Sequence, residues 1–359
     1  QTFVYDEIRF HQKYEVDVFC NERLNSSQFP YKRVYSPPQN KVCQSLYRNI
    51  AYWHSFDHRI AQHNYDLIHA HFGTGAVYCL PYVRRYDLPF IVTFWGNDVS
   101  ALIGSQRYHP SRWRYILKSN NILKEADIIL AVSREMQQIL QEYSGFYNKV
   151  KLYHHGVDVE KFQPLPQKKN TDIKLLLVGR FIQKKGHIYA LKAFKRLLSD
   201  PDYENISLSF IGKGELEDYC KSFVKKHDLQ KQVKFLGQKP HGRVAKIIAE
   251  SDVLLAPSIV ANNHDREGSP TVVKEAGACG VPVIGSYHAG IWETIIDGKT
   301  GFLVPERDVE GLTTCIKKLA DSADLRKQMG KQARAWIKKK FNAHKQVLKL
   351  EQFYNHISQ

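Results

Sequence analysis

No run of apolar residues in this chain approaches the roughly 20 needed to span a bilayer, so no membrane-crossing helix is expected. There is no C-x-x-C pair either: Cys20, Cys43, Cys79, Cys220, Cys279 and Cys315 are scattered. A zinc ribbon or a disulfide framework needs regular cysteine spacing, so both are excluded and reduced thiols are expected. Gly212-Lys213-Gly214 lacks the third glycine of a dinucleotide fingerprint, since position 217 is Glu, which argues against a nicotinamide site. No D-x-D pair falls where a ligand-facing loop is expected, so the sequence calls for no divalent ion. Acidic residues are the scarcer charge, 36 against 52 Lys and Arg, which leaves a net charge of +16. That excess favours polyanionic partners, yet no nucleic-acid-binding module accompanies it, so nucleic acid is not expected. No secretory leader opens the chain, and the expected location is the cytoplasm, on the inner face of the cytoplasmic membrane.

What is present is an alternation of short apolar runs and amphipathic stretches. With 359 residues, two domains are the default. In the second half, strand-like runs at 173–178, 206–211, 233–236, 253–256, 281–284 and 302–304 alternate with helical patterns at 187–198, 216–226, 243–249, 271–278, 290–296 and 309–320. The first half repeats the theme, with strands at 16–19, 67–71, 90–94, 128–132 and 150–153 and helices at 4–13, 46–63, 76–85, 111–124 and 134–143. Such alternation predicts the α/β class: two Rossmann-like, doubly wound parallel-sheet domains facing across a cleft. The expected domains are residues 1–163 and 164–341, with a tail helix in 342–359 crossing back to the first. Pro164, Pro166 and the polar residues 167–170 read as linker. The first domain opens on a helix where a central strand belongs, so a missing opening strand is expected.

The densest chemical signal lies between Glu267 and Glu275. Ser269 suits an N-cap and Pro270 the first helical position, so a helix over 271–278 is predicted. Its first-turn N–H groups and dipole make an anion site. Glu267 precedes that site and Glu275 lies roughly 7–8 Å along the helix axis at 1.5 Å per residue. A nucleotide sugar carries its parts in the same order: sugar hydroxyls, diphosphate, ribose diol. A carboxylate accepts hydrogen bonds from a vicinal diol through both oxygens. Upstream, a buried strand ends in Gly179-Arg180, followed by Lys185-Gly186 and a helix. Both cations leave the carboxyl end of a strand, where a ligand phosphate would sit in such a sheet. Gly212 closes a second strand-to-glycine turn, suited to close backbone approach.

In the first half His69 and His71 share one strand face by the period of two, and the strand before Trp95 ends in Gly96-Asn97-Asp98. The histidines could form a metal pair; without a third ligand at diagnostic spacing, polar site residues are favoured. Arg107, Arg112, Arg114 and Lys118 alternate with Tyr108, Trp113, Tyr115, Ile116 and Leu117. That mixture suits either a helix lying on anionic lipid or a solvated helix with a core-facing stripe. A second basic concentration runs from Arg326 to Lys349.

With those residues the chain resembles the family 4 retaining glycosyltransferases of GT-B fold, in the branch serving colanic-acid and exopolysaccharide assembly. Val178-Gly179-Arg180 with Lys185-Gly186 is similar to the family's phosphate turn, and Glu267 through Glu275 to its E-x7-E signature. Gly280-Val281-Pro282-Val283-Ile284, Gly301-Phe302-Leu303-Val304-Pro305, Gly156-Val157-Asp158 and the opening helix also match. The resemblance implies that Arg180 and Lys185 bind a diphosphate beside Gly179. It implies that Glu267 holds donor-sugar hydroxyls, that Gly268, Ser269 and Pro270 offer backbone contacts, and that Glu275 holds the ribose diol. His69, Trp95, Asn97 and Asp98 fall on its acceptor side, although Trp95 stands where many relatives carry His. The implied reaction is metal-independent, cofactor-free retaining transfer of a hexosyl unit from a UDP-sugar such as UDP-glucose. The implied acceptor is a hydroxyl of a saccharide or lipid-linked saccharide, with an anionic membrane surface as a further partner. Two other readings stay open: a nucleotide-sugar epimerase of similar build, and a non-catalytic membrane-docked scaffold.

Overall fold

Parallel strands joined by helices dominate both halves of the chain, as expected where each apolar run is buried on two faces. The structure, a computed structural model, describes residues 2–166 and 172–358. The polar stretch 167–170, read as linker, lies outside the described residues. Two compact units emerge: Gln1–Gly156 with Ala343–Gln359, and Val157–Asn342. The division falls just ahead of the expected 163/164 boundary, because Val157, Val159 and Phe162 are buried in the core of the second unit.

The first unit contains α1 (Thr2–Arg9), β1 (Val18–Phe19), β2 (Val34–Tyr35), α2 (Lys41–Ile50), α3 (His54–Gln62), β3 (Ile68–His71), α4 (Gly73–Tyr86), β4 (Phe90–Phe94), α5 (Asn97–Ile103), α6 (Trp113–Glu125), β5 (Ile128–Ala131), α7 (Arg134–Ser144) and β6 (Val150–Leu152). Strands β3, β4, β5 and β6 form a parallel sheet in chain order, while β1 and β2 pair separately. One helix was expected over 46–63. Instead Ala51 turns left-handed (φ 60°), its N–H donating to the Tyr47 carbonyl, and separates α2 from α3. Helix α1 also stops before its expected end at 13, because Glu351 draws the Gln12 and Lys13 N–H groups out of the helical path at 2.7 and 2.9 Å.

In the second unit β7 (Ile173–Val178), α8 (His187–Leu197), β8 (Ile206–Ile211), α9 (Glu217–Lys226), β9 (Val233–Phe235), α10 (His241–Ala249), β10 (Val253–Ala256), α11 (Thr271–Ala278), β11 (Val283–Ser286), α12 (Ile291–Thr294), β12 (Gly301–Val304), α13 (Val309–Asp321) and α14 (Ala323–Lys340) follow. The sheet order is β12-β11-β10-β7-β8-β9, parallel throughout. The chain therefore builds one way from β7 and then restarts with β10 on its other side. That reversal opens a crevice at the carboxyl ends of β7 and β10, where sheets of this kind take ligands. Strand β11 begins two residues later than expected, since the Val281 N–H is still held by the Ala276 carbonyl behind Gly280 (φ 72°).

Helix α15 (Ala343–Ile357) belongs to the first unit. Its Leu350 and Tyr354 pack on Ile91, Ile128, Leu130 and Tyr153. The late basic concentration is thus shared between α14 and α15 and is partly structural. Arg326 donates to the Leu319 and Ala320 carbonyls at the end of α13, and Arg334 to those of Phe162 and Ala278. Because Leu350 is fully buried, Leu350→Ala should lower stability by about 2–5 kcal/mol. Denaturant unfolding of the two proteins checks this, and a loss under 1 kcal/mol would contradict the packing described.

Candidate active site

The crevice between β7 and β10 is built by backbone contact so close that only glycine fits. Gly186 has φ 68°, and a Cβ there would lie 1.9 Å from the Pro257 carbonyl oxygen. Gly212, at φ 145°, would place a Cβ 2.0 Å from the Gly179 carbonyl oxygen. Its glycine is therefore required by the neighbouring turn, the close backbone approach expected of it. These contacts draw the ends of β7, β8 and β10 together, and the Lys185 stem lies across Gly179 at 3.1–3.3 Å from a Cβ built there. Arg180 is exposed beside it.

Lys185 does not point away to an empty phosphate site. Its Nζ sits 2.7 Å from Glu267 Oε1, with side-chain exposures of 18% and 8%. The phosphate cation and the sugar carboxylate expected from the sequence are thus one ion pair. Ser258 Oγ donates to the same Oε1 at 3.3 Å. Beneath them lies Lys184, which the sequence reading passed over: its buried Nζ binds Asp265 Oδ1 at 2.9 Å and the Arg266 carbonyl at 3.0 Å. Burial alone would raise the Glu267 pKa, but the charges of Lys185 and Lys184 outweigh it and hold the group down at about 2.

Helix α11 runs as predicted from Thr271 to Ala278, with one correction at its start. Pro270 is the N-cap (φ −60°, ψ 120°) rather than the first helical residue, and no side chain caps the helix. Ser269 is not the N-cap. It lies buried with Gly268, whose carbonyl accepts from the Gly290 N–H at 2.9 Å. The first-turn N–H groups are thereby left without the side-chain oxygen that the sequence supplied to them, which suits an external anion. Next to Glu275, Lys274 is fully buried and pushed down to about 7 by that burial.

Each acid of the pair has a histidine behind it, and neither histidine was singled out from the sequence. His288 Nε2 accepts the Glu267 N–H at 3.1 Å, and its Nδ1 lies 2.7 Å from Glu306 Oε1. The hydrogen-bond network assigns the proton to Nδ1. His241 Nε2 lies 3.1 Å from Glu275 Oε1. Fixed spacing cannot reveal such partners, because each pair joins different elements of the sheet.

The first-unit candidates form a separate, largely closed cluster. Asp98 is buried, and its carboxylate accepts from the N–H groups of Gly73, Trp95, Gly96 and Val99 at 2.9–3.1 Å, which ties the turn after β4. Asn97 Oδ1 accepts from Arg112. His69 is bonded through Nδ1 to the Tyr354 hydroxyl and through Nε2 to Thr93 Oγ1, each at 2.7 Å. The third group that the sequence did not supply is Glu7: its Oε1 is 3.3 Å from His71 Nε2, and it can gather with His69 and His71 around one point. Burial raises Glu7 to about 8 and lowers His71 to about 3, so both are neutral near pH 7. Glu7 Oε2 accepts from the Tyr153 hydroxyl at 2.8 Å, whereas His71 Nδ1 is buried without a hydrogen-bond partner among the described residues. Trp95 packs against Phe3 with ring centroids 4.1 Å apart and planes tilted by 36°, and has the rings of His155 and His71 at 5.1 and 5.9 Å.

The depressed Glu267 value fixes a pH signature. In the unfolded chain the group titrates near 4.5, so between there and about 2 the unfolded state holds more protons. The stability from this pair is complete above about pH 4.5 and is lost as pH falls toward 2. Glu267→Gln should therefore lower Tm at pH 7, and its difference from the parent should shrink across that window. Thermal unfolding by circular dichroism at stepped pH tests this; a difference that stays constant from pH 5 to 2 would refute the assignment.

Comparison with known proteins gives the family and the fold. Residues 158–336 match the family described as glycosyl transferases group 1, and residues 8–161 match Glycosyltransferase Family 4. The amylovoran biosynthesis glycosyltransferase AmsK of Erwinia amylovora is 29% identical over 78% of this chain and 67% of its own length. The putative colanic acid biosynthesis glycosyltransferase WcaL of Escherichia coli is 28% identical over 69% of this chain and 59% of its own. Among solved structures, sucrose-phosphate synthase of Thermosynechococcus elongatus superposes with a TM-score of 0.80 at 21% identity, covering 98% of this chain and 91% of that one. Anabaena HepE in complex with UDP and glucose gives 0.78 at 16%, covering 99% and 95%. The fold is GT-B, and the chain belongs to the group 1 and family 4 glycosyltransferases.

Proposed function

We propose that the protein transfers a hexosyl unit from a UDP-sugar to a hydroxyl of a saccharide or lipid-linked saccharide, with retention of configuration, in exopolysaccharide assembly. The observation that carries this reading is the Lys185–Glu267 contact at the uncapped N-terminus of α11, with Glu275 farther along the same helix. The donor diphosphate would enter between Arg180, Lys185 and that helix end. Glu267 would take the sugar hydroxyls and Glu275 the ribose diol. Gly179, Gly212, Gly268, Ser269 and Pro270 would shape the wall. As the bond from the anomeric carbon to the diphosphate oxygen breaks, its electron pair leaves with the diphosphate. Arg180, Lys185 and the helix dipole would stabilise that charge, so the reading requires neither a divalent ion nor a cofactor. The acceptor oxygen bonds the anomeric carbon on the same face, and its proton passes to the departing phosphate. His69, Trp95, Asn97 and Asp98 would serve the acceptor side, Asp98 by holding the turn that carries Trp95. Colanic acid and amylovoran relatives, and a structural neighbour in complex with UDP and glucose, support the choice of donor and pathway class.

The same reading includes an anionic membrane surface as the place where the acceptor is met. Tyr108, Trp113 and Leu117 are 81%, 58% and 71% exposed, among Arg107, Arg112, Arg114 and Lys118. No acidic residue occurs between Asp98 and Glu125. Apolar rings with interleaved cations suit the boundary between headgroups and acyl chains. No helix among the described residues is long and apolar enough to cross a membrane.

Arg180→Ala and Lys185→Ala should each slow UDP-hexose turnover about a hundredfold to a thousandfold, roughly 3–4 kcal/mol of transition-state stabilisation. UDP release in the presence of acceptor saccharides measures this, and near-normal turnover in both variants would sink the reading. UDP and UDP-glucose should also raise the unfolding temperature of the parent, since they bind the folded state alone. For the membrane, Trp113→Glu with Leu117→Glu should abolish co-sedimentation with phosphatidylglycerol vesicles. Equal sedimentation with neutral phosphatidylcholine vesicles would argue against an electrostatic docking face.

A further inference from the structure

The histidine behind Glu275 has a partner of its own. His241, the first residue of α10, lies between two charged groups: its Nε2 is 3.1 Å from Glu275 Oε1 and its Nδ1 is 2.7 Å from the Lys161 ammonium. An ammonium has only protons to give, so Nδ1 must accept from it and the ring proton must sit on Nε2. Nε2–H then donates to the carboxylate. The imidazole edge rests on Phe162 at 5.3 Å between ring centroids, which limits its rotation.

Lys161 is itself held in place. The Asp158 Oδ1 accepts the N–H groups of Glu160 and Lys161 at 3.0 Å each, and the Phe162 N–H closes the turn on the Asp158 carbonyl at 3.0 Å. Val157, Val159 and Phe162 anchor that turn in the core under α11, and Arg334 fastens the Phe162 carbonyl at 3.0 Å. The chain from Asp158 through Lys161 and His241 to Glu275 therefore runs entirely within the second unit.

We propose that His241 is a positioning residue for nucleotide binding: held in one tautomer by Lys161, it fixes the Glu275 carboxylate so that Oε2 and the remaining lone pair of Oε1 face the ribose diol. This rests on the reading of Glu275 as the ribose-binding acid. The physical need is plain. A glutamate has three rotatable side-chain bonds, and a diol asks for one carboxylate plane. A donor bound to one oxygen selects that plane before ligand arrives and removes part of the ordering cost of binding. Lys161 and His241 touch no reacting atom in this scheme.

Calorimetric Kd values for UDP and for 2′,3′-dideoxy-UDP on the full chain provide the test. The ratio of the two constants reads the ribose contact alone. His241→Ala should reduce that ratio about tenfold, the loss of one hydrogen bond to a charged group, with little change in dideoxy-UDP binding. His241→Gln, whose amide can donate to Oε1, should restore most of the ratio, and Lys161→Met should lower it by a smaller factor. If His241→Ala fails to fold, His241→Phe fills the same slot without a donor and carries the same expectation. Equal weakening of both nucleotides, or no change in either, would overturn the proposal and leave His241 a packing residue. Glu275→Ala separates the two levels. If it preserves the ratio, the ribose assignment falls and this inference with it; if it abolishes the ratio while His241→Ala does not, only the positioning role falls.

Discussion

Taking a carboxylate and an ammonium out of water costs several kcal/mol each, and Lys185 and Glu267 recover that cost chiefly from one another. The pair can form only because Gly186 lets the turn after β7 press against the Pro257 carbonyl beyond β10. The rest of the second unit serves that meeting. The reversal of sheet order between β7 and β10 opens the crevice, and Lys184 pins the loop that carries Glu267 from below. On the proposed reading the ion pair would be a waiting state: a diphosphate beside Lys185 would offer the ammonium a stronger anion and free Glu267 for the sugar hydroxyls.

The two signature acids are held by different means suited to different tasks. Glu267 is fixed through its backbone, where His288 accepts its N–H and Glu306 orients His288. Its carboxylate stays with Lys185 and Ser258, groups that a ligand can compete with. Glu275 sits inside a helix whose backbone needs no further support, and there the histidine acts on the carboxylate itself. Both histidines work as neutral rings with one donor and one acceptor. Replacing either by lysine or arginine, which only donate, would set a donor against a donor and lose one of its two bonds.

Much of this was legible beforehand. The helix at 271–278 follows from Pro270 just ahead of it and apolar positions at helical spacing, and its bounds are those expected although its cap is not. The strands of the second unit were readable because a strand buried on both faces shows as an unbroken apolar run, as in Leu175-Leu176-Leu177. Two helix ends were misjudged, one set by a distant residue and one by a local left-handed turn. Glu351 terminates α1, and a left-handed Ala51 splits a helix whose pattern reads as continuous. What Gly212 must approach was hidden in the same way, because the Gly179 backbone that excludes a Cβ lies at the end of the adjacent strand.

By itself the sequence determined the strands of the two larger sheets and most of the helices between them, the parallel α/β class, and the cations and acids around the crevice. Those properties live in side-chain periodicity, capping chemistry and short spacings, all carried within a few residues. The tertiary structure alone decided which polar groups meet: Lys185 with Glu267, His241 between Lys161 and Glu275, His288 between Glu306 and the Glu267 backbone, and Glu7 beside His71. Such pairings depend on which strand ends lie side by side once the sheet order is set. Sheet order is fixed by burial over the whole unit, and no local pattern in the chain encodes it.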